Sequence, residues 1–566
     1  MATIVKKRIK GHPYYYLVQT AWRDGRSRIV HQRYLGKAED IARAVTERGS
    51  PRAVSARVEA FGAVATLYRK AEQLGVVEII DRHAPKRQQG PTVGQYLLVA
   101  AINRAVAPTS KAKMAQWFAQ TALGQWLPFS ERQLASQRFW DHMGYLTAER
   151  IRAIEDDLTA RIAAAEGLDL RALVYDTTNF FTWIDTMSAA ELPQRGHSKA
   201  KRHDLKQVGL AMLVTTDFHV PLFHEVYPGN RPDAAEFGSV TESLLARYRL
   251  LCQHCQDVTL VYDKGNNSRA NQAVIDGAPL HFVGSLVPSR HPDLLDVPRR
   301  EFQPLRGPEF GGVLAYRTER EVMGVKRTVV VTYNESLYLG QLQGILLRLR
   351  KVNDALRRLQ RTLAERAARG PRARGRALTL SSVQSRLKAI LHDRTLPLAA
   401  WFRPVVCEEA GRILLNYTLD HEAQQAYFNR HLGKNILFTD RHDWSTEAIV
   451  AAYRGQAAIE SAFKEMKDPR FLCWQPMFHW TDDKIRVHAF YCVLALTLVA
   501  LVRRSLAQQG VELSAAELLS ALNGINRVLH LYPEGSRIKP HWTLSERDDV
   551  QERLVAALDL LPLVES

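Results

Sequence analysis

"LVYDTTNFF" (Leu173–Phe181) and "LVYDKGNN" (Leu260–Asn267) each close an apolar run in Val-Tyr-Asp. Short apolar runs bounded by turn-forming residues read as buried strands. Around them, "KQVGLAMLVTTDFHVPLFHEVYPGN" reads as two strands about a "TTDFH" turn, and "LHFVGSLVPS" as another strand. "DAAEFGSVTESLLARYRLL" supplies a helix between them. Strands interleaved with helices predict an α/β layer architecture. Asp176 and Asp263 then each stand at the end of a buried strand, where a carboxylate is poorly solvated unless a cation meets it. Functional residues of α/β sheets gather at such strand ends. Either aspartate could equally cap the segment that follows it.

"YRGQAAIESAFKEMK" (453–467) reads as one helix. At about 100° per residue, Tyr453, Gln456, Glu460, Lys464 and Lys467 fall on a stripe roughly 80° wide. The plain alternative is a solvated face on which Glu460 pairs with Lys464 one turn on. Set beside two strand-end aspartates, Glu460 gains a second reading. Two aspartates and a glutamate can hold two Mg²⁺ ions through oxygen ligands. Two such ions about 4 Å apart can activate an attacking oxygen and stabilise a leaving one in phosphodiester chemistry. The tyrosine, amide and ammonium groups of the stripe would then face nucleic-acid phosphates.

Composition agrees with such a partner. The 566 residues carry 77 Lys and Arg against 59 Asp and Glu, a net charge of +18. Such an excess favours a polyanion, most simply nucleic acid. A basic membrane-surface protein would need an amphipathic anchor or a lipidation signal, and neither is legible. The run "AFYCVLALTLVALV" (489–502) is shorter than the roughly 20 residues that span a bilayer and reads as a buried helix. Five cysteines make no disulfide framework, which fits a reducing cytoplasm, and Cys252-x-x-Cys255 has no second pair at zinc-like spacing.

Residues 1–45 alternate apolar and polar about "RDGRS" and predict a basic β-hairpin. Residues 46–165 read as helices, several opened by Ser or Thr caps, either a helix-turn-helix-like DNA reader or a plain helical domain. After residue 300 come strands, then an amphipathic helix over 339–368 with a basic outer face. A shorter helix is expected at about 380–392, strands at "GRILLNYTLD" and "KNILFTDRHDW", and a helical region over 511–566.

These residues resemble the DDE transposases of bacterial insertion sequences, in the IS-four-like group. That group carries a Tyr-x2-Arg-x3-Glu-x6-Lys signature around its glutamate; here it reads Tyr453, Gln456, Glu460 and Lys467, with Gln in place of Arg. "GHSKAKRHDLKQV", "YPGNRPDAAEF", "LVYDKGNNS" and "FHWTDDKIRVHAFYCVLAL" look like the long-transposase branch. The resemblance implies an RNase H-like core over 166–295 and 436–510, interrupted by a mixed β and helical insertion over 296–435, with a mainly helical N-terminal region before it. It implies Asp176, Asp263 and Glu460 as catalytic metal ligands for Mg²⁺ or Mn²⁺, two ions in all. Tyr453, Gln456, Lys464, Lys467, Lys199 and Arg202 are implied DNA contacts, with His197 and His488 as further candidates. Implied partners are double-stranded transposon ends and target DNA, with a homodimer in the active complex and no membrane. A nuclease of the same fold and a DNA-binding protein that no longer transposes are the alternatives.

Overall fold

The computed structural model describes residues 2–23, 26–47, 53–85, 89–185, 187–196, 202–231, 247, 249–251, 257–369, 378–409, 411–533 and 538–564. The chain divides into two compact units. One comprises Met1–Glu72, Thr109–Phe139 and Ser505–Ser566; the other comprises Gln73–Pro108 and Trp140–Arg504.

The larger unit is built on a nine-stranded mixed sheet. Its strands are β5 (Ala172–Thr182), β6 (Lys206–Thr215), β7 (Pro221–Pro228), β8 (Thr259–Tyr262), β9 (His281–Leu286), β10 (Gln303–Pro304), β11 (Val313–Val322), β12 (Val325–Asn334) and β15 (Lys434–Thr439). They lie in the order β10-β11-β12-β15-β9-β8-β5-β6-β7. Pairing is parallel only at β5/β8 and β8/β9, and antiparallel elsewhere. The central strands are buried on both faces, so β6 and β8 read as continuous apolar runs. The mixed α/β architecture and the strands about both aspartates agree with the sequence reading. The helix expected over 233–251 falls mostly outside the described residues.

Residues 296–435 divide between two cores. β10, β11 and β12 join the main sheet, because β15 bonds β12 on one edge and β9 on the other. The long helix Glu335–Arg369 instead buries Ile345, Val352, Leu356, Leu359 and Leu363 against Trp401, Phe402 and Phe428. With the hairpin β13 (Pro404–Glu409) and β14 (Arg412–Tyr417), this makes a second hydrophobic cluster. The helix Asp482–Ala507 is long and apolar enough to cross a membrane, yet 94% of its apolar window is buried inside the protein, as for a core helix.

The smaller unit departs from the helical reading. Ser55–Ala60 forms strand β4, which pairs with β16 (Asn526–Leu531), itself paired with β17 (His541–Leu544). No local periodicity signals a partner so distant in sequence. The expected N-terminal hairpin gains a strand: β1 (Ala2–Ile9), β2 (His12–Arg23) and β3 (Arg26–Gly36) form an antiparallel sheet. Lys10 and Gly11 turn β1 into β2 with positive φ at both residues, 50° and 84°. Lys-Gly is a weak turn signal beside Asn-Gly, which hides that turn in the sequence.

Arg527 and Glu59 tie β16 to β4 through a buried ion pair at 2.6 and 2.9 Å, with the guanidinium 4.1 Å from the Trp542 ring centre. Removing one partner of a buried pair strands the other charge and costs about 3–5 kcal/mol. Glu59→Ala is therefore expected to lower the urea midpoint of this unit sharply. A midpoint equal to wild type would show that the pair does not hold these strands together.

Candidate active site

The parallel register fixes the site. Tyr175 of β5 pairs with Tyr262 of β8, and Tyr262 with Gly284 of β9. Each strand's next residue is polar: Asp176, Asp263 and Ser285. Tyr175 and Tyr262 are fully buried. Side chains alternate along a strand, so the two carboxylates and the serine share the opposite face.

Asp263 follows the last residue of β8 and makes no cap bond to the segment after it. It accepts instead from two hydroxyls: Ser285 Oγ donates to its Oδ1 at 3.2 Å, and Tyr453 Oη donates to the same oxygen at 3.0 Å. Burial is the main cause pushing the Tyr453 phenol well above its usual range; the Asp263 carboxylate adds to it, and Asp176 acts in the same direction. The phenol is thus a neutral donor that lies within the field of both aspartates.

The helical stretch that carries Tyr453 is not continuous. One helix ends at Arg454 and a second runs Gln456–Glu465, with Gly455 between them. A Cβ on Gly455 would lie 2.7 Å from Thr216 Cγ2, so only glycine lets the chain pass the end of β6 this closely. The single stripe expected over 453–467 is therefore split. Tyr453 turns inward to Asp263. Glu460 stays exposed and pairs with Lys464 at 4.0 Å, both side chains more than half exposed. Lys467, beyond the second helix, returns to the sheet and donates to Thr178 Oγ1 at 2.7 Å, with its ammonium 5.2 Å from the Phe180 ring centre. Thr178 and Phe180 share a β5 face with Asp176, and Trp474 stacks on Phe180 at 4.4 Å. The Gln456 Nε2 is buried and finds no acceptor among the described residues.

The structure therefore gathers Asp176, Asp263, Tyr453 and Lys467 about β5 and β8. Among the described residues, no three His, Cys, Asp or Glu side chains lie close enough to hold a metal ion. The neighbouring aspartates suit a hard cation, but Glu460 does not complete a three-carboxylate set in this arrangement. Other sequence candidates fall elsewhere. Arg202 is bidentate on Asp204. His488 is fully buried, with Nε2 2.7 Å from the Trp474 carbonyl and Nδ1 3.2 Å from His479, which makes it a core residue. His197, Lys199, Cys252 and Cys255 lie outside the described residues. Ser285 went unread in the sequence, although aligning "FVGS" with the two Val-Tyr-Asp runs would have put it on their rung.

No family model and no curated protein matches the chain. Among solved structures, it is similar to a piggyBac transposase synaptic complex with hairpin DNA, at 8% identity over 81% of this chain and 78% of that one, with a TM-score of 0.37. It is also similar to the Mos1 transposase paired-end complex with left transposon end, at 15% identity over 37% of this chain and 63% of that one, with a TM-score of 0.15. At such TM-scores neither likeness carries an argument about this chain.

Tyr453→Phe removes a hydrogen bond to a charged carboxylate, a loss of about 1.5–3 kcal/mol. A raised folded-state pKa contributes stability that is complete below the unfolded phenol's pKa of about 10 and is lost as pH rises through the folded value. Urea unfolding should thus show wild type above Tyr453→Phe at pH 7, with the gap narrowing above about pH 10. Equal stability at pH 7, or a gap unchanged in alkali, would rule out this role for the phenol.

Proposed function

We propose that the chain is a DNA strand-cleaving and strand-joining enzyme, a DDE transposase acting on the ends of a bacterial insertion sequence in the cytoplasm. The observation that carries this reading is the polar rung Asp176–Asp263–Ser285 on three adjacent parallel strands of a buried sheet. On this reading the sheet about β5 is the RNase H-like core, and Asp176 and Asp263 are the catalytic carboxylates. Glu460 is the third by its spacing from Tyr453 and Lys467. The partner is duplex DNA, both transposon end and target, bound by a homodimer.

Mg²⁺ or Mn²⁺, two ions, would sit at the aspartates and supply activation of the attacking oxygen and stabilisation of the leaving one. The chain's own groups have separate tasks. Tyr453 and Ser285 hold the Asp263 carboxylate in one orientation by donating to the same oxygen. Lys467 places a cation on the same β5 face as Asp176, where a scissile phosphate would find a charge-assisted contact. The Gln456 Nε2, which has no acceptor among the described residues, supplies a further neutral donor in the segment between Tyr453 and Glu460. The exposed position of Glu460 favours a second reading, a DNA-binding protein that has lost cleavage.

Divalent-metal-dependent nicking of duplexes carrying the element's terminal sequences separates these readings. Asp176→Ala, Asp263→Ala and Glu460→Ala should each abolish nicking while duplex binding persists. Wild-type cleavage by either aspartate variant would sink the enzyme reading as drawn. Wild-type cleavage by Glu460→Ala alone would remove only the third carboxylate.

The position-456 departure is testable too. Lys467→Ala should weaken end binding or slow single-turnover cleavage by roughly tenfold to a hundredfold, the worth of a charge-assisted contact. Gln456→Arg, which adds a permanent charge and a phosphate-matching fork, should tighten binding. Two silent substitutions would remove Gln456 and Lys467 from the DNA-contacting groups.

A further inference from the structure

The N-terminal sheet has two unlike faces. Its three strands carry seven cations, Lys6, Lys7, Arg8, Arg23, Arg26, Arg28 and Arg33, and no acidic residue. Directly paired residues of an antiparallel sheet point the same way, and neighbours along a strand point oppositely. On one face, Val18 is buried, while Tyr14 and Tyr16 approach Tyr34 at 6.1 and 5.2 Å. Lys7 belongs to that face, 5.2 Å from the Tyr16 ring centre and 3.1 Å from Gln32. The helix Ala38–Glu47 packs against β2 and β3.

The other face is different in kind. The pairs Lys6–Tyr15, Arg8–Pro13, Leu17–Arg33, Gln19–His31 and Ala21–Arg28 all lie on it. Lys6, Arg8, Gln19, Arg28, His31 and Arg33 are exposed there. Among the described residues of its strands this face is cationic and carries no acid, and it also offers amide and imidazole hydrogen-bonding groups. An ordinary solvated sheet face mixes both signs of charge, as surfaces generally do.

We propose that this face is a duplex-DNA reader that enters the major groove. The proposal rests on the DNA partner assigned above and goes beyond it by naming the surface. Three strands at about 4.8 Å spacing are about 10 Å across, and the major groove is about 12 Å wide and admits β-structure. Gln19 stands on the central strand β2 and Arg33 beside it on β3, where glutamine can read adenine and arginine guanine through bidentate contacts. Lys6, Arg8 and Arg28 lie to the sides and supply phosphate contacts that fix the register.

The test uses the full chain and a fluorescently labelled duplex, with affinity read by anisotropy across a salt series. Lys6→Ala/Arg8→Ala/Arg28→Ala should weaken binding tenfold or more and reduce the slope of log K against log salt by ~2–3, since each phosphate neutralised by a side chain adds about 0.9 to it. Arg350→Ala/Arg357→Ala/Arg361→Ala removes the same charge from the exposed side of the long helix and should change affinity less than threefold. Thermal melts check that both variants are folded. On the wild-type chain, methyl green, which fills the major groove, should displace the protein, whereas distamycin in the minor groove should not. Equal weakening in both triple variants, an unchanged salt slope, displacement by distamycin alone, or a preference for single-stranded DNA would each overturn the proposal. Failure of cleavage with intact duplex binding through this face would remove the enzyme reading and leave the reader standing. Normal cleavage with duplex binding indifferent to the sheet variant would do the reverse.

Discussion

The parallel pairing of β5 with β8 is the constraint on which the site depends. Strands that run in the same direction and in register bring equivalent sequence positions side by side. Tyr175 opposite Tyr262 therefore forces Asp176 beside Asp263. Two like charges at a buried sheet disfavour one another unless donors or cations compensate. The chain supplies hydroxyl donors from Ser285 and Tyr453, and the Lys467 ammonium two residues along β5 from Asp176. That a fold accepts this cost in its central strands is a reason to look for chemistry there rather than for stability.

Support for the rung comes from several elements at once. β9 contributes Ser285, the helix ending at Arg454 contributes Tyr453, and the segment after the second helix contributes Lys467. Gly455, between the two helices, passes close to Thr216 just beyond β6. The same break carries Glu460 to the solvent side, where it pairs with Lys464. Tyr453 and Glu460 are thus carried by different helices.

The sheet was legible because its strands are buried on both faces and read as apolar runs. The Asp176 and Asp263 positions were legible because both runs end in the same Val-Tyr-Asp. What escaped was non-local. β4 finds its partner β16 near the other end of the chain, and "SARVEA" carries no mark of it. The helix break at Gly455 was invisible to a 100° wheel, which carries no information on the close approach to Thr216 in tertiary packing. His488 could be read in sequence as a surface or a core residue; it lies at the start of the stretch of its helix, 487–502, that is buried all round.

The central claim is that Asp176 and Asp263 together would hold the divalent metal. Anomalous diffraction from crystals of the full chain grown with Mn²⁺ tests it most directly. The account expects a manganese peak within coordinating distance of both carboxylates, about 2.0–2.6 Å by analogy with hard-cation sites. Manganese bound only elsewhere, with these two aspartates occupied solely by Ser285, Tyr453 and their other protein neighbours, would contradict it.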